Sequence, residues 1–189
     1  MRLKIPMREF QNKTYWIVGA SEGLGRALAI QLAKVGTKVI ISARSEERLN
    51  GLSEEIGSNT MVLPMDVSDR SSVQKAFSKL PKSLDGFIFV SGVYWHMSAS
   101  SWDETKAEEM VDVNLVGAMR CLAHLIPKFI NQGFGHIVLT GSIAGYRGLP
   151  GSVGYCASKA GLMSLAETLK IDLAKNKIDV QLLNPGYIK

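Results

Sequence analysis

The sequence predicts a three-layer α/β/α domain, in which a doubly wound parallel sheet lies between two layers of helices. Short apolar runs of strand length alternate regularly with segments whose apolar residues recur at helical spacing. The strand-like runs are apolar throughout, which indicates strands that are buried on both faces of a parallel sheet. A length of 189 residues is that of one domain. We therefore expect a single domain over residues 1–189.

The strands are predicted from short runs of apolar, β-branched and aromatic residues that end at turn residues. The first run, Thr-Tyr-Trp-Ile-Val, ends at Gly19, and the last ends at Asn184-Pro-Gly186. In chain order the six runs are 14–18, 38–42, 60–65, 87–90, 136–140 and 179–183.

Helices are predicted between these strands, where apolar residues recur every three or four positions. Gly36 and Gly57 follow the first two helices, where a left-handed C-terminal residue is usual, and Ser45 is a suitable N-cap for the second. Ser101 and Glu104 form a candidate capping box for a long helix. The helical segments run over about 24–35, 46–56, 73–80, 102–130 and 155–173.

Composition and charge exclude several classes of protein. Hydrophobic residues make up 46% and charged residues 21%, and no apolar run approaches the roughly 18 residues of a membrane helix. The basic N-terminus lacks a long apolar stretch with a cleavage site, so we expect a cytoplasmic location. Although the net charge is +5, the Lys and Arg residues are scattered. We therefore expect neither a nucleic-acid partner nor membrane insertion.

The cysteines and histidines do not form a metal-ligand pattern. Cys121 and Cys156 lack ligand spacing and are expected to be reduced thiols with a packing role. His96, His124 and His136 are too dispersed to bind one ion. We therefore assign no metal.

The turn after the first strand is rich in glycine, with Gly19, Gly23 and Gly25 in seven residues. Ligands bind at the carboxyl ends of the strands in a sheet of this kind. Glycines let the backbone approach a pyrophosphate, whose charge is favoured by the N–H groups and dipole of the helix N-terminus. The turn predicts a dinucleotide ligand, and a tight turn without a ligand is the alternative for such a turn taken alone.

Tyr155 and Lys159 lie four residues apart at the start of the last predicted helix, and so on one face of it. A free phenol has a pKa of about 10 and needs a nearby positive charge to ionise at neutral pH. Lys159 can supply that charge. The pair predicts an acid/base site, although a Tyr and a Lys at this spacing are often merely solvated.

Together, these two motifs resemble the short-chain dehydrogenases/reductases, a family with a Rossmann-like fold. The family pattern is Gly-x-x-x-Gly-x-Gly in the first turn and Tyr-x-x-x-Lys in a later helix. The match extends along nearly the whole chain, and Glu22 stands where the extended epimerase and dehydratase branch would have its middle glycine. Further matching positions, in the family's order, are Asp66-Val67, Asn114, Ser142 and Pro185-Gly186.

The resemblance implies an NAD(P)(H)-dependent oxidoreductase that acts on an alcohol or a carbonyl compound. Tyr155 would exchange a proton with the substrate oxygen, and Ser142 would hydrogen-bond that oxygen. Lys159 would hold the nicotinamide ribose and lower the pKa of Tyr155, while Asn114 would position a water that links Lys159 to solvent. Asp66 would bond the adenine amino group. Taken singly, Ser142 could be a turn residue, Asn114 a helix kink or a buried hydrogen-bonding group, and Asp66 a helix cap.

The full set of expected cofactor-binding residues extends from the glycine turn to the end of the last strand. It comprises Gly19, Ser21, Glu22, Gly23, Leu24, Gly25, Arg44, Asp66, Val67, Ser91, Gly92, Tyr155, Lys159, Pro185 and Gly186.

Arg44, at the end of the second strand, favours NADP(H) over NAD(H). An acidic residue at this place would bond the free 2′-hydroxyl of NAD, whereas the guanidinium suits the 2′-phosphate of NADP. Two observations oppose this prediction. Arg44 could instead pair with Glu47, and Glu22 would repel the phosphate if its side chain pointed inward.

Two departures from the family pattern lie at the predicted site. Val18 stands where the family usually has Thr, and Val90-Ser91-Gly92 stands where it has Asn-Ala-Gly. In the family that Thr bonds to the backbone of the Asn-Ala-Gly strand. We therefore expect the two valines to replace a polar contact between neighbouring strands with an apolar one.

The ending is a third departure, because family members continue past Pro185-Gly186 through a substrate loop, a further helix and a last strand. The resemblance implies that this C-terminal part of the fold is absent from the 189 residues. A dinucleotide-binding regulator or scaffold without turnover is therefore the alternative function. The presence of all four candidate catalytic residues argues against it, since binding alone does not need them.

The surroundings of the site are predicted more coarsely. Residues 93–97 and 144–149 are expected to form pocket walls, with His96 and Tyr146 facing the substrate. The resemblance suggests a homodimer or higher homo-oligomer through the long helices around Asn114 and Tyr155.

Overall fold

In the computed structural model, which describes residues 8–186, the chain forms a six-stranded parallel sheet with the strand order β3-β2-β1-β4-β5-β6. Helices cover both faces, so the predicted fold class is confirmed. The strands are β1 Thr14–Val18, β2 Lys38–Ser42, β3 Thr60–Val62, β4 Gly86–Phe89, β5 Gly135–Thr140 and β6 Ile178–Leu183.

Six α-helices of the described region connect these strands, one more than predicted, because the long segment expected at about 102–130 is divided into α4 and α5. They are α1 Gly23–Lys34, α2 Glu46–Ile56, α3 Arg70–Ser78, α4 Glu104–Val111, α5 Gly117–Gln132 and α6 Val153–Asp172. A five-residue π-helix, Asp112–Val116, joins α4 to α5. We refer to Glu104–Gln132 as the α4–α5 rod.

The predicted helix ends are mostly confirmed. Gly36 and Gly57 both have a positive φ, at +84° and +86°, and the Ser45 hydroxyl accepts a hydrogen bond from Arg48 N. The capping box at Ser101 is wrong. Ser101 belongs to a short 3₁₀ turn, and α4 begins after Asp103, whose carboxylate accepts from Lys106 N at 3.1 Å.

The two faces of the sheet form two cores, because successive side chains along a strand point to opposite faces. Trp16, Phe87 and Ile137 pack with α3, α6 and the α4–α5 rod on one face. Ile17 and Ile41 pack with α1 and α2 on the other. Burial of each such side chain contributes about 1.5–3 kcal/mol, so the cores fix the positions of the strand ends.

The α4–α5 rod is the helix of the described region that is long and apolar enough, by length and composition, to cross a membrane. A core helix of a soluble protein passes the same test. Cys121, Leu125 and Phe129 on its inner face are fully buried against the sheet. Packing in the core therefore explains the apolar residues of this inner face.

Both cysteines are buried and free within the described region, as predicted. Cys121 lies in the first core, where burial raises the pKa of its thiol to about 12. Such a thiol is a packing residue rather than a nucleophile at neutral pH.

The chain changes direction across the sheet between β1 and β4. From β1 it runs through α1 to β2 on one side, whereas β4 leads through the α4–α5 rod to β5 on the other. Connections that diverge in this way leave a crevice at the carboxyl ends of the two strands. The glycine turn and Ser91-Gly92 meet at this crevice.

The two valines at the crevice do not replace a side-chain contact, contrary to the prediction. Val18 is opposite Phe89 in the ladder, so Val90 is one residue further along and its side chain belongs to the other face. The strands are joined here by backbone hydrogen bonds instead. Val18 O accepts from Val90 N at 2.8 Å and from Ser91 N at 3.0 Å.

Candidate active site

Two adjacent cavities of the described region lie at the carboxyl edge of the sheet. The nucleotide cavity, of about 590 Å³, is lined by the glycine turn and the ends of β2, β3 and β4. The catalytic cavity, of about 400 Å³, is lined by residues that follow β4, β5 and β6 and by the start of α6. Both cavities share Leu24, Val90, Gly92 and Val93, so they meet over Gly92.

Close backbone approaches in the glycine turn require glycine. A Cβ on Gly19 would lie 2.5 Å from Ser91 N, and Gly19 has a φ of +96°. A Cβ on Gly25 would clash with the carbonyl oxygen of Gly19. Gly23, with a φ of +53°, belongs to neither lining and instead lets the chain enter α1.

The N-terminus of α1 suits a dinucleotide pyrophosphate. Its N-cap is Glu22, whose side chain makes no capping hydrogen bond within the described residues, and the first turn of α1 has no acidic side chain. The first N–H groups of the helix therefore lack a protein acceptor and face the nucleotide cavity, which Ser21, Leu24 and Gly25 also line. These residues fit a bound dinucleotide.

Asp66 and Val67 line the nucleotide cavity beyond the end of β3. The Asp66 carboxylate accepts hydrogen bonds from the backbone N and the hydroxyl of Ser68, at 2.9 and 2.6 Å. Asp69 is the N-cap of α3, so the alternative interpretation of Asp66 as the helix cap is wrong. The carbonyl of Val67 is held by Arg120, which donates to it at 3.1 Å.

Arg44 also lines the nucleotide cavity, with its side chain exposed. Within residues 8–186 no carboxylate is at ion-pair distance from Arg44, so the predicted alternative pair with Glu47 does not form. Glu22 pairs with Arg48 at 2.6 Å, across the edge of the cavity. Sequence reasoning missed Arg48. Its position in the first turn of α2, just after the strand end that bears Arg44, is the signal that could have indicated it.

The catalytic cavity brings together Ser142, Tyr155 and Lys159. Lys159 is only 4% exposed, donates to the carbonyl oxygen of Thr140 at 2.8 Å and lies 5.7 Å from the centre of the Tyr155 ring. Burial lowers the pKa of Lys159 to about 8, because the charged form is poorly solvated there. A phenol, a hydroxyl and a buried ammonium can together donate a proton to one oxygen atom and stabilise its charge.

Asn114 lies behind this cavity and is fully buried in the π-helix. Its side chain accepts from Val93 N at 2.7 Å and donates to Val93 O at 3.0 Å and to the Ser158 hydroxyl at 3.1 Å. Ser158 in turn donates to Tyr155 O at 2.8 Å. Asn114 therefore connects the chain after Gly92 to the helix of Tyr155. π-helices often occur at functional sites, and this one interrupts the α-helical hydrogen bonding of the α4–α5 rod.

Sequence reasoning missed Ser158. The signal was its place next to Lys159, three residues after Tyr155, where a Ser hydroxyl can reach back to a helix carbonyl.

Ser142 and Pro185-Gly186 complete the wall of the catalytic cavity. The Ser142 hydroxyl accepts from Ala144 N at 3.1 Å and caps a short 3₁₀ turn, so Ser142 is also a turn residue. The hydroxyl can still donate its own proton. Ile143 N donates to Pro185 O at 3.4 Å, which joins this turn to the chain after β6.

The two predicted wall segments are confirmed only in part. Val93, Tyr94, Ala144 and Leu149 of these segments line the catalytic cavity. Ile143 and Ser152, which lie outside the predicted segments, also line it. His96 packs over Gly151, and Tyr146 accepts a hydrogen bond from Asn184 at 2.8 Å. Neither belongs to the lining formed by the described residues, which therefore gives no support to the prediction that they face substrate.

Comparison with known proteins agrees with this geometry. The family model for short chain dehydrogenase matches residues 13–189. A 3-oxoacyl-[acyl-carrier-protein] reductase FabG from Rickettsia typhi is 33% identical over 183 residues, which are 97% of this chain and 76% of the relative. The protein with that name from Aquifex aeolicus is 32% identical and covers 96% and 76%.

Among solved structures, the crystal structure of gox2181 superposes with a TM-score of 0.90 at 26% identity, covering 95% of this chain and 73% of that one. The similarity thus includes both cavities and every strand of the described sheet. The chain belongs to the short chain dehydrogenase family of NAD(P)-dependent oxidoreductases.

Proposed function

We propose that the protein interconverts an alcohol and a carbonyl compound with NADP(H), using Tyr155, Lys159, Ser142 and Asn114. The observation that supports this most strongly is the buried Lys159 ammonium beside Tyr155, in a cavity that adjoins the open N-terminus of α1. A bound nicotinamide would supply or accept the hydride at the carbonyl carbon.

The side chains have distinct roles in this proposal. The Tyr155 hydroxyl gives its proton to the carbonyl oxygen during reduction and regains one during oxidation. The Ser142 hydroxyl donates a hydrogen bond to the same oxygen and holds it beside Tyr155. The Lys159 ammonium attracts the phenolate that remains after proton transfer. Because Lys159 is buried, solvent screens this attraction less than it would at the surface.

Asn114 acts through the backbone in this proposal. Its hydrogen bonds to Val93 and Ser158 keep the chain after Gly92 in register with the helix that holds Tyr155 and Lys159. A Cβ on Gly92 would lie 3.3 Å from the Asn114 oxygen and 3.6 Å from Lys159 Nζ, so the Gly92 backbone lies close to both side chains. The water that would link Lys159 to solvent stays a prediction.

The preference for NADP(H) rests on the charges at the edge of the nucleotide cavity. Arg44 has no protein carboxylate at ion-pair distance in the described region and is free to bind a phosphate. Arg48 partly neutralises Glu22, which weakens the main argument against a phosphate. A charge-assisted hydrogen bond contributes about 1.5–3 kcal/mol, or roughly 10- to 150-fold in affinity.

Titration of the protein with NADPH and NADH, followed by cofactor fluorescence, tests this preference. We expect NADPH to bind more tightly, and Arg44→Ala to weaken NADPH at least tenfold while leaving NADH nearly unchanged. Lys34→Ala is the matched control, since it removes one positive charge from the far end of α1. Tighter binding of NADH, or equal losses in both variants, would overturn the assignment.

The names of the relatives suggest 3-oxoacyl thioesters as one class of carbonyl to test, together with simple ketones. Oxidation of NADPH by any of them, lost in Ser142→Ala, supports the proposed enzyme. Tight NADPH binding without turnover of any carbonyl would instead favour the regulator or scaffold.

We also infer that the protein is a cytoplasmic homodimer that uses the α4–α5 rod and α6. Met119 and Ile130 on the rod are 48% and 41% exposed, which suits a surface that is covered in a dimer. Light scattering of the native protein tests this, and a monomer at micromolar concentration would contradict it.

A further inference from the structure

Tyr94 forms an aromatic wall of the catalytic cavity that the proposed chemistry does not require. Its ring meets the Tyr155 ring edge to face, with centroids 5.0 Å apart and planes at 73°. The Tyr94 hydroxyl lies 3.3 Å from the hydroxyl of Ser152, a buried residue at the start of α6. This contact fixes the tilt of the Tyr94 ring relative to Tyr155. Half of Tyr94 stays exposed, so much of the ring is open to a ligand.

The rest of the catalytic cavity is neutral. Among its lining residues in the described region, only Lys159 has a charged side chain, and that ammonium is buried and donates to Thr140 O. Val93, Ile143, Leu149 and Pro185 supply apolar surface near Tyr94. A carboxylate or phosphate on the substrate would lose its hydration here, and the single ammonium nearby is buried and already donates to Thr140 O. The lining of the catalytic cavity therefore disfavours anionic substrates.

We propose that the catalytic cavity selects neutral carbonyl compounds whose carbonyl is attached to an aromatic ring, and that Tyr94 determines this selectivity. The proposal rests on the proposed function and specifies its substrate class. A ligand ring placed beside Tyr155 meets the open part of the Tyr94 ring, and such aromatic pairs are worth about two- to tenfold in affinity beyond the area they bury. The reaction at the carbonyl is unchanged.

A pair of ketones with the same carbon skeleton isolates this contact. Acetophenone has a flat aromatic ring, and cyclohexyl methyl ketone has a saturated ring of similar size. Burial of apolar surface alone gives the saturated ketone no disadvantage. A third ketone, 4-acetylbenzoate, adds a carboxylate to acetophenone and tests the neutrality of the wall.

The dissociation constants of the three ketones are measured by saturation-transfer NMR on protein saturated with NADP⁺, a mixture in which no ketone is reduced. We expect acetophenone to bind at least threefold more tightly than cyclohexyl methyl ketone and at least tenfold more tightly than 4-acetylbenzoate. Tyr94→Leu should equalise the first two, whereas Tyr94→Phe, which keeps the ring, should preserve the preference. The NADP⁺ affinity of both variants should match that of the unmodified protein.

Two results would overturn the inference. One is equal or tighter binding of cyclohexyl methyl ketone by the unmodified protein, a comparison that needs no variant to fold. The other is an equal loss for all three ketones in Tyr94→Leu, which would mean that Tyr94 only supports the cavity. Selective binding without turnover would contradict the proposed function and support this inference, so the two failures are distinct.

Discussion

Replacement of Lys159 by Met should remove a pH dependence from the stability of the protein. The pKa of Lys159 is lowered by burial from its ordinary value of 10.5 to about 8. Between these values the unfolded chain binds the proton and the folded chain does not, so the free energy of unfolding rises with pH. The lowering from 10.5 to about 8 corresponds to about 3 kcal/mol of stability, which is gained as the pH rises from 8 to 10.5 and lost as it falls back over the same range.

Urea unfolding of the unmodified protein and of Lys159→Met, at several values of pH from 7 to 10, measures this effect. The free energy of unfolding of the unmodified protein minus that of Lys159→Met should rise by roughly 2–3 kcal/mol from pH 7 to pH 10. Its absolute value also contains the lost hydrogen bond to Thr140 O, which is why the pH dependence is the quantity to compare. Lys170→Met, on the exposed side of the same helix, controls for the loss of a lysine.

Stability and activity should follow opposite trends as the pH rises above about 8. Lys159 must be protonated to stabilise a phenolate, so kcat/KM for the free enzyme should fall above about pH 8, where stability rises. Such a conflict is expected when a charge is buried for function. A stability difference that stays constant from pH 7 to pH 10 would refute the reasoning.

Two further predictions concern the glycine turn and the opposite edge of the sheet. Gly25→Ala places a methyl group against Gly19 O, so NADPH affinity should fall at least tenfold in a fluorescence titration; unchanged affinity would contradict the close approach. His136 hydrogen-bonds Tyr15 at 3.0 Å, and burial lowers its pKa to about 4. The unfolded state therefore binds the proton first, and stability should fall by about 3 kcal/mol from pH 6.5 to 4. In thermal unfolding, His136→Phe should lose most of this decrease in stability between pH 6.5 and pH 4. An unchanged decrease would contradict the role given to His136.

The fold was predictable because its signals are local. Each strand is a short apolar run and each helix an apolar stripe, and both are visible in consecutive residues. Gly36 and Gly57 marked helix ends because a positive φ favours glycine. The start of α4 was misplaced since Ser101 and Asp103 are both good caps, and Ser101 belongs instead to the short 3₁₀ turn that precedes the helix.

The contacts of the site were predictable only where one segment contains both partners. Tyr155 and Lys159 share a helix face, so their proximity follows from spacing alone. The Glu22–Arg48 pair, the Asn114–Ser158 bond and the contact of Tyr94 with Ser152 join segments that are distant in sequence. Their formation depends on strand order and register. The same dependence explains why Val18, at the end of β1, and Val90, just after β4, have side chains on opposite faces.

The most direct test of the central claim, that Tyr155 is the proton donor in the catalytic cavity, is a comparison of Tyr155→Phe with the unmodified protein. The variant keeps the ring and its contact with Tyr94, and it removes only the hydroxyl. We expect the NADPH dissociation constant to change less than threefold and kcat for ketone reduction to fall by about 10²- to 10⁴-fold. Tyr146→Phe, which loses a tyrosine hydroxyl outside the cavity lining, should retain its rate. Near-normal kcat in Tyr155→Phe would contradict the account.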